Sequence, residues 1–514
     1  YTVNITLGGQ QFNILLDSGS SDLWIQTNQS VKIVNDSGIV AQISYGEGFV
    51  EGPIQFAELK LGAYTVPSQA FLNVNKVTTS QDLPSGTQGI LGIAFDSALL
   101  DSTELYLKHF WGNDTTLGRT PLSNILNQNT SAVPAFDVSL GRSGDLDEYS
   151  AGLFLIGEHA PQNQAVESAP QLPQAVEGRW SAIVEGLSVN GHNYTFKTKS
   201  KVTTVPQGQL VGFLDTGTSL PEVPEDVADF IYSNIDGSVK NGGVWFVPCE
   251  SGANSTWYLG GQAFPMHPLD LTVLSPIIWS PTSDANVNIT FCFGAYQIGT
   301  PPYQGVDMVL GDNFLRNVYV SFNFGPDIDR TQNGTGSFMQ LLSVTQEDTA
   351  WVDFERSRME TMMVLGNYID PAVIQQFPGG LDNLSQQLNG LAPAPTNGTN
   401  STSSSSGASG SSADNEADGE SRVLGAVESS SPSSDSDSVV SRLDKYGPVI
   451  IGLLGANVGV MLLLWVISLV VCTRGVMRRG VQTRNLPANY APVSFKDKGS
   501  DDPEYSAHVH NYSD

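Results

Sequence analysis

Two carboxylates in this chain sit in matching surroundings. Leu15-Leu16-Asp17-Ser18-Gly19-Ser20-Ser21 is echoed by Phe213-Leu214-Asp215-Thr216-Gly217-Thr218-Ser219: two apolar residues, an aspartate, a small hydroxyl residue, glycine and two more hydroxyl residues. Either tripeptide alone, Asp-Ser-Gly or Asp-Thr-Gly, is ordinary turn chemistry. Turn chemistry does not account for the shared apolar lead-ins, nor for a second echo downstream of each aspartate, Gly89-Ile90-Leu91-Gly92-Ile93-Ala94 and Met308-Val309-Leu310-Gly311-Asp312-Asn313. Two carboxylates brought together cannot both ionise readily, so the pair keeps one proton over a broad pH range. The ionised partner can take a proton from water, and the protonated one can donate to a carbonyl oxygen. That is direct attack of water on an amide, with no covalent intermediate. Glycine in third place lets backbone approach closely, and the neighbouring hydroxyls can hydrogen-bond the carboxylates and fix their orientation.

Duplication of this kind implies two similar lobes, each offering one carboxylate on a tight loop after a strand. The stretch from Tyr1 to about Thr345 reads as β-rich, with short apolar or alternating runs such as Phe12 to Leu16 and Leu153 to Ile156 between Gly, Pro, Asn and Asp. Pro224 to Ile235 is the plausible helix, with Val227, Phe230 and Ile231 on one face. The expected layout is a first lobe over 1–168, a second over 169–345, and a more helical extension over 346–382 to which no role is assigned.

Beyond it, residues 383–446 are rich in Ser, Gly, Asn, Asp and Glu and cannot bury enough apolar surface to fold, so a disordered, O-glycosylated stalk is expected. Pro448 to Val471 is an uninterrupted run without a charge that would span roughly 36 Å as a helix. A single transmembrane helix over 447–472 follows. Arg474, Arg478, Arg479 and Arg484 lie after it, which puts 473–514 in the cytoplasm and the large N-terminal part in the lumen or outside the cell. Glycosylation triplets recur from Asn4 to Asn400, with only Asn511 beyond the apolar run, and agree with that orientation. The first residues, from Tyr1 to Ile14, hold nothing like a signal peptide, so the sequence is taken as processed or truncated.

Composition narrows the chemistry further. With 24 Lys+Arg against 52 Asp+Glu the formal charge is -28, which would repel nucleic acid and suits an acidic compartment. There are 3 cysteines and 6 histidines, with no Cys-x-x-Cys pair, no zinc-ligand spacing, no His-Glu-x-x-His, no Gly-x-Ser-x-Gly and no phosphate loop. No metal and no cofactor is expected.

These motifs make the chain resemble the pepsin-like aspartic peptidases over roughly Tyr1 to Thr345. Asp17 to Trp24 looks like the first active-site loop, and Ile43-Ser44-Tyr45-Gly46-Glu47-Gly48 like the flap, the hairpin that closes over substrate. Phe136 to Leu140 resembles a late strand of the first lobe, Phe213 to Leu220 the second active-site loop, and Val309 to Arg316 the end of the second lobe. The resemblance implies a mostly-β, bilobal acid protease fold with pseudo-twofold lobes, monomeric, acting on protein or peptide substrates at acidic pH. It implies that Asp17 and Asp215 hold the attacking water and that Ser18 and Thr216 cross-link the two loops. Gly19 and Gly217 would complete those loops, and Ser20 and Thr218 would hydrogen-bond the carboxylates from outside. Tyr45 would cover the substrate and bond to Trp24, while Gly46 and Glu47 would offer backbone amides. Cys249 and Cys292 would form the disulfide of the second lobe.

The sequence departs from the family pattern in places. Only 20 residues separate Trp24 from Tyr45, with no cysteine pair between them, and Ser18 stands where threonine is commoner. Glu47 suggests pairing with a basic side chain just N-terminal to the scissile bond; a solvent-facing hairpin acid is the other account of it. The stalk and triplets look fungal. Two rival classes are a catalytically silent cell-surface binding module of the same fold and a structural wall protein.

Overall fold

The computed structural model describes residues 1–374, apart from 46–47, 80–82, 84–85, 97–101, 114, 146–149, 283–284, 326–335 and 366–367. The chain divides into two compact units, one of residues 1–395 with 489–514 and the other of 396–488; every described residue belongs to the first. The expected stalk and membrane span therefore lie outside the described residues. Among those described, no helix is long and apolar enough to cross a membrane.

The two echoed motifs of each half are partners in space. Strand Gln10–Asp17 runs parallel to Gly89–Gly92, with Leu15 opposite Ile90, Leu16 opposite Leu91 and Asp17 opposite Gly92. In the second half Leu210–Leu214 runs parallel to Met308–Leu310, Phe213 opposite Val309 and Leu214 opposite Leu310. A short return strand then pairs antiparallel on the far side of each echo strand, Leu23–Ile25 in the first half and Glu222–Val223 in the second. The second aspartate strand is buried on both faces, so its run is continuously apolar, whereas the first alternates, burying Phe12, Ile14 and Leu16 and leaving Asn13 and Leu15 half-buried. The equivalent loop carbonyls also accept from the echo segments, Ser20 O from Ala94 N–H at 2.9 Å and Thr218 O from Asp312 N–H at 2.9 Å, with the donor one position nearer the echo glycine in the second half.

A third sheet joins the halves. Ala135–Ser139 pairs antiparallel with Val318–Asn323, which pairs in turn with Phe338–Ser343. Above it aromatic side chains from both halves interlock. Phe95 lies 4.3 Å from Trp180, Phe136 is stacked on Phe322 at 4.7 Å, and Trp180 meets Phe324 at 5.1 Å between ring centres. Trp180 is fully buried, and its carbonyl accepts from Leu214 N–H at 2.8 Å. The aromatic floor is thereby tied to the second aspartate strand.

The helix expected over Pro224–Ile235 forms over Glu225–Ser233, burying Val227 and Ile231. Two helices of the first half were not foreseen, Thr103–Trp111 and Pro121–Gln128, capped by the hydroxyls of Ser102 and Thr120. Cys249 and Cys292 are joined in a disulfide. The extension after the second lobe begins as the helix Glu347–Leu365. Its Arg358 is buried, donating to Thr272 Oγ1 at 2.7 Å and Cys292 Sγ at 3.2 Å and pairing with Asp145 at 3.1 Å.

Candidate active site

The parallel pairing delivers each aspartate to the end of its strand, and the loops that follow meet back to back. Ser18 N–H donates to Thr216 Oγ1 at 3.0 Å and Thr216 N–H to Ser18 Oγ at 3.0 Å. Each hydroxyl in turn donates a hydrogen bond to the opposite strand, Ser18 Oγ to Leu214 O at 3.0 Å and Thr216 Oγ1 to Leu16 O at 2.8 Å. All these groups are buried, so each bond also removes a desolvated polar group that would otherwise be unsatisfied.

Above this cross-link the carboxylates are held in the same way twice. Gly19 N–H donates to Asp17 Oδ1 at 2.8 Å and the Ser20 hydroxyl donates to Asp17 Oδ2. Gly217 N–H donates to Asp215 Oδ1 at 2.9 Å and the Thr218 hydroxyl to Asp215 Oδ2 at 2.8 Å. The glycines also make room for the meeting. A Cβ on Gly19 would lie 2.7 Å from Asp215 Oδ1, and one on Gly217 would lie 2.3 Å from Asp17 Oδ1. Neither contact is possible for a residue with a side chain.

Asp17 and Asp215 are 6% and 3% exposed. Burial, then the neighbouring charge of Asp215, pushes the Asp17 carboxyl well above the ordinary carboxylate range, against the opposing bonds from Ser20 and Gly19. The arrangement keeps a proton at the pair where free carboxyls would have lost theirs. It can therefore offer an acid and a base to one substrate group.

Around the pair stand two different walls. On the Asp17 side Trp24, Ile43 and Val50 form a buried apolar cluster against which Leu15, Tyr45, Val77, Leu83 and Tyr106 pack half-buried. The Tyr45 hydroxyl and the Trp24 indole nitrogen are both buried close together, yet they do not close a hydrogen bond of ordinary geometry. Burial first, then the charges of Asp22 and Asp17, keeps that hydroxyl protonated. Gly46 and Glu47 lie outside the described residues. On the Asp215 side stand Arg179, Phe213 and Tyr303, of which Arg179 and Tyr303 belong to no motif in the sequence. Their approach to each other is a product of the fold alone. Among the described residues there is no cluster of three or more His, Cys, Asp or Glu side chains able to hold a metal.

Comparison with known proteins gives the family. The family model described as eukaryotic aspartyl protease matches residues 30–329. The chain is similar to the major aspartyl peptidase 1 of Cryptococcus neoformans, 24% identical over 364 residues, covering 63% of this chain and 66% of that protein. It is similar also to the vacuolar aspartic protease of Candida albicans, 25% identical over 65% of this chain and 74% of the relative. Pepsin A of Gallus gallus matches at 24% identity over 65% of the chain and 82% of its own length.

Proposed function

This chain belongs to the eukaryotic aspartyl protease family, and we propose from that premise that it is an aspartic endopeptidase hydrolysing protein substrates in acid, with Asp17 and Asp215 as its catalytic pair. The observation that carries the proposal is the mutual backing of the carboxylates by glycine, with Gly19 against Asp215 and Gly217 against Asp17. No structural need for two buried carboxylates to meet is apparent, since like charges in a desolvated place destabilise the fold.

In this mechanism a water sits between the pair. The ionised carboxylate accepts a proton as the water oxygen attacks the peptide carbonyl carbon, and the protonated carboxyl donates to the carbonyl oxygen. The resulting gem-diol collapses with proton transfer to the leaving nitrogen, and the C–N bond breaks. Gly19, Ser20, Gly217 and Thr218 keep the four carboxylate oxygens oriented throughout, while Ser18 and Thr216 lock the loops to one another. Tyr45, Trp24, Gly46 and Glu47 are the flap residues assigned to covering the substrate. In the same proposal the protease body of 1–345 stands outside the cytoplasm as a glycosylated monomer, carried on the stalk and anchored by 447–472.

The test is cleavage of a denatured protein near pH 4 by the full-length protein. Asp215→Asn should reduce the rate by about 10²- to 10⁴-fold, the usual weight of positioned acid–base catalysis. Absence of wild-type cleavage from pH 3 to 7 would replace the protease with a silent binding module of the same fold.

A further inference from the structure

The half-buried wall beside Asp215 carries a positive charge on an aromatic bed. Arg179 lies with its guanidinium carbon 4.5 Å from the centre of the Tyr303 ring and 5.6 Å from that of Phe213. The two rings meet edge to face at 5.4 Å. Phe213 stands near the end of the strand Leu210–Leu214, two residues before Asp215, whose charge acts on both Arg179 and Tyr303. Arg179 is thereby held beside the loop that carries the carboxylate. Arg179 and Tyr303 are only partly buried, whereas Phe213 beneath them is 1% exposed. What this step leaves exposed is part of Arg179 and Tyr303, while its apolar base is closed off.

We propose that Arg179 forms a subsite for an acidic side chain of the substrate, an aspartate or glutamate beside the scissile bond on the Asp215 side of the cleft. The proposal rests on the protease activity proposed above. A guanidinium laid on two rings loses much of its rotational freedom before any ligand arrives, and its planar fork matches a carboxylate in geometry. The groups whose charge reaches this step are Asp215, which acts on both Arg179 and Tyr303, and Asp17 and Glu222, which act on Tyr303. Burial lowers the affinity of Arg179 for its proton, against the opposing influence of Tyr303 and Asp215, but an arginine remains a cation throughout the range in which carboxylates titrate. The molecule as a whole, at -28, repels an acidic peptide. A preference for one has to come from a local cation such as this.

The experiment uses peptides of one sequence that differ only by glutamate or glutamine at each position flanking the bond cut. At pH 5.5 the full-length wild-type protein should cleave the glutamate peptide roughly tenfold better in kcat/KM at one position, the worth of one charge-assisted contact. The preference should vanish at pH 3, because the substrate carboxyl ionises at about 4.3. Arg179→Gln should bring the ratio to about one, and Arg179→Lys should retain part of it. A ratio taken within one enzyme does not depend on how much of it has folded, so a merely structural role for Arg179 would leave it unmoved. A ratio of one at every position in the wild type, or a ratio unchanged in Arg179→Gln, overturns the subsite while the protease stands. Failure of the wild type to cut either peptide or a denatured protein overturns the protease.

Discussion

Gly19 and Gly217 matter for the side chain each lacks. Every other contact of the dyad can be drawn with several residue types, since a hydroxyl or a backbone N–H serves equally well as donor. The space in front of each carboxylate admits no Cβ, at 2.7 Å from Asp215 and 2.3 Å from Asp17. Gly19→Ala should therefore displace the Asp215 carboxylate from its bonds to Gly217 and Thr218. A shift on the order of 1 Å in a catalytic group lowers kcat by about 10²-fold. The thermal midpoint should move little, because the hydroxyl cross-link below the dyad is untouched. Kinetics beside a melting curve check this; a variant that unfolds with its activity would show that the glycine serves stability instead.

At the scale of elements, the segments of the two halves are tied by a buried ionic cluster beneath the second loop. Arg142 follows the strand Ala135–Ser139, and its Nε donates to Asp270 Oδ2 at 3.1 Å. Arg316 Nε reaches Asp270 Oδ1 at 2.6 Å, and Asn317 Nδ2 donates to Asp270 Oδ2 at 2.8 Å. Burial alone would raise the Asp270 carboxyl, but Arg142 and Arg316 overrule it and hold it at about 2. The aspartate is 1% exposed, so its removal would leave two largely desolvated arginines without their carboxylate. Asp270→Ala should destabilise the protein by about 3 to 5 kcal/mol, read as a lowered midpoint in urea. An unmoved midpoint would mean that the cluster is relaxed by water.

The whole molecule carries its own pH window. His159 Nδ1 lies 2.7 Å from the fully buried Asp137 on the sheet that joins the halves, Tyr319 donates its hydroxyl to the same carboxylate, and Glu167 stands 3.9 Å from Nε2. The bond to Asp137 raises the affinity of His159 for its proton above the ordinary 6.5. Its stabilising contribution is thus complete below 6.5 and is lost as pH rises through the raised value. Asp17, also raised, favours the native state on the acid side as well. His267 and Asp270 act in the opposite direction. His267 is held down at about 4 by burial and by Arg142, so its contribution is present above 6.5 and lost as pH falls towards 4. That of Asp270 is present above 3.8 and lost as pH falls through about 2. The thermal midpoint should therefore decline as pH passes above neutrality, and His159→Gln should flatten that decline. A midpoint profile of unchanged slope in the variant would remove His159 from the account.

The catalytic candidates were legible in the sequence because each is a local pattern, an apolar strand run into a turn with aspartate, hydroxyl and glycine in fixed places, and because it occurs twice. The helix at Glu225–Ser233 was legible for a similar reason, its apolar residues falling on one face within three turns. The helices at Thr103–Trp111 and Pro121–Gln128 were not. They are short, and the first leaves Phe110 and Trp111 exposed, which blurs its period. That the downstream echoes lie beside the aspartate strands and that Arg179 comes to rest on Tyr303 were decided by the tertiary structure, which also fixed the individual hydrogen bonds of the Ser18–Thr216 cross-link that the family resemblance implied. These are contacts between residues far apart along the chain, and periodicity and turn chemistry act only over a few neighbours. Topology brings such residues together, and burial then fixes which of them can remain.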